Sequence, residues 1–172
     1  FDGLVAQLGD HDEVARRWAA RDLTAFPGVA TSRALVARLG QERDASVLEC
    51  VLTALTRLGD DVAVAGLVEC LRSESPPLRN GAIEAMKQLP EEVAPIMGRL
   101  LEDEDSDVRI FAVNILESLR HPQVEAWLLA VIERDPHVNV CGAAVDLLGE
   151  VGSLASRPAL ERLKARFAAQ PY

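Results

Sequence analysis

The chain has 172 residues, 49% hydrophobic, 4% aromatic and 26% charged, with a net charge of −9. That length fits one domain able to bury roughly 70% of its unfolded surface. No apolar run approaches the ~20 residues of a membrane span, and the negative charge weighs against non-specific binding to nucleic acid or an anionic membrane.

Apolar residues return at intervals of 30 to 32 residues from end to end, the mark of stacked supersecondary units. Leu4 and Leu8 open the chain as the second helix of an incomplete pair over 1–9. Helix pairs follow over 12–40, 44–72, 76–102, 106–133 and 136–168, all within a single domain of 1–172. Four columns run through the pairs. One is small (Ala19, Val51, Ala82, Ala112, Ala144) and one large (Leu23, Leu55, Met86, Leu116, Leu148). A third is Phe26, Leu58, Leu89, Leu119 and Val151, and a fourth Leu35, Leu67, Met97, Leu128 and Leu160. In the fourth pair Val108, Ala112, Ile115, Leu116 and Leu119 lie on one helical face. Gly, Pro and Asp in the turns end one helix and start the next. Asp44, Ser75, and Ser106 or Asp107 are expected helix caps, and Asp135-Pro136 reads as a cap followed by Pro at the first helical position. No stretch shows strand alternation bounded by hairpin signals. The expected fold is all-α, a right-handed α-solenoid of about five helix pairs. Lys164 replaces the Leu39, Leu71, Leu101, Ile132 column and reads as a polar cap at the end of the stack.

Asp103…Val108-Arg109…Ala112…Leu116 and Asp135-Pro136…Val140…Ala143-Ala144…Leu148-Gly149, followed by Pro158-Ala159-Leu160, carry a resemblance. The pattern resembles the HEAT-like repeats of the phycobilisome-lyase type. Leu78-Arg79…Ala82 fits it; Leu48 and Cys141 stand at the arginine position of their repeats. The first unit, with Arg16, Trp18, Ala19 and Leu23, departs furthest. The resemblance covers nearly the whole chain and implies architecture. In the lyases that attach bilins to phycobiliproteins, such repeats form a scaffold that works with a partner subunit.

The loops that lead from each second helix to the next first helix emerge on one edge. They hold thirteen carboxylates and three arginines. Their densest run is Glu102, Asp103, Glu104, Asp105 and Asp107. Two readings apply: capping of helix starts, where carboxylates complement the dipole, or an acidic rim that docks a basic partner. The run lacks the Gly and distal Glu of an EF-hand loop. On the second helices, Glu69, Arg99 and Arg162 sit two residues after core positions and should face away from the core. With Trp127 and Leu129 they form the expected partner-binding concave face, Trp and Arg being the residues that concentrate interface energy.

Chemistry-bearing motifs are sparse. His11, His121 and His137 have no second His or Glu at ligand spacing on one helix face. Cys50, Cys70 and Cys141 lack metal-like spacing and read as small, largely buried thiols in a reducing compartment. The HEAT-repeat deoxyhypusine hydroxylases hold iron through His-Glu steps, and no such dipeptide occurs here. HEAT-like enzymes that excise alkylated DNA bases need a basic channel and aromatics, a poor match to this composition. No catalytic residue, metal or cofactor is therefore expected. Sixteen arginines against two lysines, with abundant Ala, suggest a GC-rich bacterial genome. The start at Phe1 suggests a processed or excised piece. The resulting expectation is a cytoplasmic, non-enzymatic scaffold or adaptor for another protein, with no nucleic-acid or membrane partner. The alternative is a bilin-lyase-like accessory factor acting on a protein-bound cofactor.

Overall fold

A computed structural model of the chain describes residues 1–168; the last four residues of the expected domain lie outside the described residues. Eleven helices, α1 to α11, and no strand occur among them. They are α1 (Asp2–Gln7), α2 (Glu13–Leu23), α3 (Val29–Leu39), α4 (Ala45–Leu58), α5 (Asp61–Cys70) and α6 (Pro76–Lys87). There follow α7 (Pro90–Leu101), α8 (Ser106–Leu116), α9 (Val124–Arg134), α10 (Val138–Val151) and α11 (Arg157–Ala168). This is the all-α solenoid class that the periodicity predicts. No helix of the described residues is long and apolar enough to cross a membrane.

Aspartates set many of the helix starts. The carboxylates of Asp12, Asp44, Asp60 and Asp105 accept backbone N–H groups at the starts of α2, α4, α5 and α8. Asp44 is the cap its position predicts. In the fourth pair the cap is Asp105 rather than Ser106 or Asp107, and Ser75 stands at the start of α6 without a side-chain bond. α10 begins later than the Asp135-Pro136 signal: its N-cap is His137, and Asp135 instead accepts the His137 N–H at 2.8 Å. Gly59 closes α4 in the left-handed region (φ 58°), where a side chain would be strained. Pro95 lies inside α7 and cannot donate to the Glu91 carbonyl.

The contacts group the chain into two compact units, Phe1–Val93 and Ala94–Tyr172, each described by itself. In the first, α2, α4 and α6 pack in succession as one layer, and α3 and α5 form the other. Its core is Leu23, Leu35, Leu55, Leu67, Leu71 and Met86, all essentially without solvent contact. In the second, α8 packs on α10, α9 on α10, and α9 on α11, around Ile115, Leu116, Leu128 and Ile132. The small column and the large column are buried throughout. The third column is not. Phe26 is 47% exposed and Val151 45%. Phe26 lies beyond the end of α2, off its packed face, and its ring meets Phe1 edge-on at 6.3 Å. Val151 is the last residue of α10, where Gly152 turns the backbone into an extended conformation. Lys164 is exposed, and Leu160 only half-buried.

The turn edge is tied across one repeat. The Ser32 hydroxyl donates to Asp60 at 2.7 Å, and the hydroxyls of Ser153 and Ser156 donate to Glu125 at 2.8 and 2.6 Å. The second helices of unit 1 approach so closely that Gly66 has no room for a side chain: a Cβ there would lie 2.4 Å from Val36 Cγ2. Gly66→Ala should therefore lower stability by about 1–3 kcal/mol in a urea titration, the usual cost of overpacking. Val36→Ala should recover part of that loss in the double variant. Additive losses would show that the two side chains do not meet.

Candidate functional site

The loop edge is organised by arginine. In the first repeat, Arg16 projects back along its loop and donates to the carbonyls of Asp10 and His11 at 2.9 and 3.0 Å. It also donates to both oxygens of Glu42 in the next loop, at 2.9 and 3.1 Å. Arg109 repeats this at the same offsets. It donates to the carbonyls of Asp103 and Glu104 (2.8 and 3.2 Å) and to both oxygens of Asp135 (2.6 and 3.1 Å). Arg79 donates to the Ser73 carbonyl at 2.6 Å. These arginines stand at the arginine position of their repeats. Cys141 occupies that position in the last repeat, and another arginine does the work. Arg166, from α11, donates to the carbonyls of Glu133 and Asp135 at 3.0 and 2.8 Å, and lies 3.1 Å from Cys141 Sγ.

Two acids of the edge are thus buried. Glu42 is 5% exposed and also accepts from Arg38 and from the backbone N–H groups of Arg43 and Asp44. Burial works against its charge, but the bonds from Arg16, Asp44, Arg38 and Arg43 prevail and hold its pKa at about 2. In the 102–107 run, Asp105 caps α8, and Asp103 accepts the Asp105 N–H at 3.0 Å. Glu102, Glu104 and Asp107 are exposed.

The candidates of the concave face that lie in the second unit do not line one groove. Glu69 is exposed on α5 in the first unit. In the second, Trp127 is half-buried, with its indole stacked on His121 (5.1 Å, 17°). It lines a groove of about 350 Å³ with Gly98, Leu101, Arg109, Arg134 and Asp135. Leu129 follows two residues later on α9, roughly 200° around the helix, and is not among the lining residues. Arg99 is exposed on α7. Arg162 pairs with Glu133 at 2.5 Å in a separate, smaller groove between α9 and α11.

A larger groove, about 630 Å³, lies between α2 and α4 in the first unit. Arg17, Trp18, Arg21 and Thr24 line one wall; Ser46, Glu49, Cys50, Thr53, Ala54 and Arg57 line the other. Trp18 is 49% exposed, and the Arg21 guanidinium lies 3.8 Å over its ring. The sequence marks this unit only as the one furthest from the repeat pattern. The cluster of two arginines and a tryptophan within that departure is the signal that was there to find. Cys50 is half-buried, unlike the buried Cys70 and Cys141. Burial pushes the Cys70 thiol up to about 11, and it also raises that of Cys141, so both stay protonated at neutral pH.

The model of HEAT repeats matches residues 1–87 and 93–170. The chain belongs to the HEAT-repeat family. Its repeats are of the phycobilisome-lyase type suggested by the Val-Arg signature. Over 74 residues it is 39% identical to the bilin biosynthesis protein PecE of Mastigocladus laminosus. That alignment covers 43% of this chain and 28% of the relative, so the chain spans under a third of that protein's length. Among solved structures it is similar to the CpcE–CpcF complex of phycocyanin lyase from Nostoc sp. PCC7120. There the identity is 22%, covering 91% of this chain and 78% of that one, with a TM-score of 0.44. A designed armadillo repeat protein is 17% identical over 99% of this chain and 92% of its own, with a TM-score of 0.40. The expectation of a non-enzymatic chain is corrected by the first of these: the curated relative is a bilin biosynthesis protein.

Glu42 makes the edge sensitive to acid. Its folded pKa lies below the ordinary 4.5, so its contribution is complete above that value and is lost as pH falls towards about 2. Glu42→Gln should cost about 2 kcal/mol near neutral pH, under the roughly 3–5 kcal/mol of a fully buried broken pair because its arginines keep some water. The gap between wild-type and variant urea midpoints should close as pH drops below 4.5. A gap independent of pH would show that Glu42 is not held ionised by its partners.

Proposed function

We propose that this chain is a HEAT-repeat component of bilin chemistry, acting with a second protein on a bilin that is, or becomes, protein-bound. The observation that carries this reading is the 39% identity to a bilin biosynthesis protein over 74 residues. The grooves are compatible with it. Open-chain tetrapyrroles are flat, conjugated and carry carboxylates, and this molecule offers exposed indole and guanidinium surface in one groove. The repeats would contribute position: stacked helices hold side chains of successive repeats at fixed spacing, so that a cofactor and an acceptor protein meet in one orientation.

A protein partner belongs to the same reading. The Trp127 groove and the exposed acids Glu102, Glu104 and Asp107 beside it supply apolar and charged surface of the kind that protein interfaces combine. The test is reconstitution in a bacterial host that makes a bilin, a phycobiliprotein acceptor and the CpcF subunit of a phycocyanin lyase. Adding this chain should raise, several-fold, the visible absorbance that stays on the acceptor after acid denaturation. Equal pigmentation with and without the chain would reject the proposal.

A further inference from the structure

The α2–α4 groove can be compared with its own repeats. One register further on, a groove of about 380 Å³ lies between α4 and α6, lined by Glu49, Thr56, Arg57, Glu84 and Gln88 among others, with no aromatic side chain. Position by position, the contrast is sharper. The repeats put Glu49, Asn80, Ile110 and Gly142 where the first has Arg17. They put Cys50, Gly81, Phe111 and Ala143 where it has Trp18, and Thr53, Glu84, Asn114 and Asp146 where it has Arg21. At the position of Arg57 the other repeats carry Ala25, Gln88, Ser118 and Glu150. The repeat scaffold therefore does not call for this combination.

Nor does stability. Arg17 and Arg21 are four residues apart on α2, an arrangement of like charges that weakens a helix. Arg16, beside them, is consumed by Glu42, whereas Arg17 and Arg57 make no ion pair among the described residues. Arg21 pairs only with its neighbour Asp22, in the open. Three arginines face one carboxylate, Glu49, in a chain whose net charge is −9. The groove is a local reversal of the molecule's charge.

Its shape narrows the ligand. From Ser46 to Arg57 the α4 wall runs about 16 Å at 1.5 Å per residue. The half-exposed indole and the Arg21 guanidinium stacked 3.8 Å over its ring together offer planar surface to a flat conjugated system. Arginines on both walls, Arg17 and Arg21 across from Arg57, can each take a carboxylate through a forked pair of bonds. We infer that the α2–α4 groove binds a planar, conjugated dicarboxylate of the open-chain tetrapyrrole class, stacked on Trp18 and held by Arg17, Arg21 and Arg57. This rests on the bilin reading above and assigns it a site.

The probe is biliverdin, titrated into the full chain and followed by tryptophan quenching and the change in visible absorbance. Trp127→Phe should keep the quenching, because Trp18 reports it, and Trp18→Phe should abolish it. The Arg17→Gln/Arg57→Gln double variant should weaken binding at least tenfold. The exposed Arg33→Gln should leave it unchanged, and all variants should show the wild-type helical spectrum. Biliverdin dimethyl ester should bind much more weakly than the diacid. Equal binding by the double variant, or by ester and diacid, overturns the groove assignment and leaves the bilin function to the acceptor experiment. No binding to the wild-type chain overturns it as well. A poly-glutamate peptide that quenches Trp18 where biliverdin does not would hand the groove to an acidic protein segment.

Discussion

One interaction is made twice with the same geometry: an arginine early in a first helix ties the loop behind it to the loop of the next repeat, at Arg16 and at Arg109. The loops of a helix-pair stack are costly places. They collect the carbonyl groups that helices leave without donors and the carboxylates that cap the next helices. The five acids within 102–107 would repel one another. Arg16 and Arg109 answer both needs at once, donating to two carbonyls and one carboxylate each. A guanidinium suits this because its five donors diverge in a plane; a lysine would serve only part of the set.

Arg166 shows that part of this interaction can be supplied from another helix. With Cys141 in the arginine's place, the Asp135 carbonyl would lose its guanidinium donor. α11 delivers one from the far side, at 2.8 Å, with the guanidinium beside the sulfur. The cost is visible: Arg166 Nε is buried without a hydrogen-bond partner among the described residues. Binding by the nearby guanidinium also accounts for a thiol whose raised pKa is partly offset. The acidity of the edge therefore has a structural origin at Glu42, Asp135, Asp44 and Asp105. In the 102–107 run, what remains exposed besides the Asp105 cap is Glu102, Glu104 and Asp107, a smaller surface than the count of charges suggests.

Periodicity made the helices and most of the core readable. The small and large columns are buried in every repeat because both lie on the packed face of a first helix, where a spacing rule is a direct geometric statement. The rule weakens at helix ends. Phe26 and Val151 share the register of Leu89 and Leu119, yet a turn or an extended glycine carries them off the face. It fails for pairs that meet through space. Nothing in the order of residues says that Arg16 reaches Glu42 or that Arg166 reaches Cys141. Trp127 and Leu129, two residues apart in sequence, lie on different sides of α9. The repeat pattern was equally unable to rank the α2–α4 groove, because it treats the first unit as a poor example of itself.

That departure is where the functional argument has to be made. In a repeat protein the residues that build the stack recur, since every repeat has the same packing problem to solve. A residue that serves a ligand has no reason to recur, because the ligand sits at one place. Arg16 obeys the pattern and is spent on the loop edge. Arg17, Trp18 and Arg21, within the next five positions, break the pattern and line one wall of the α2–α4 groove, with Arg21 stacked on Trp18 and Arg17 in no ion pair among the described residues. Two neighbouring arginines thus fall on opposite sides of the same test: one is explained by the fold it holds together, and the other makes no ion pair among the described residues.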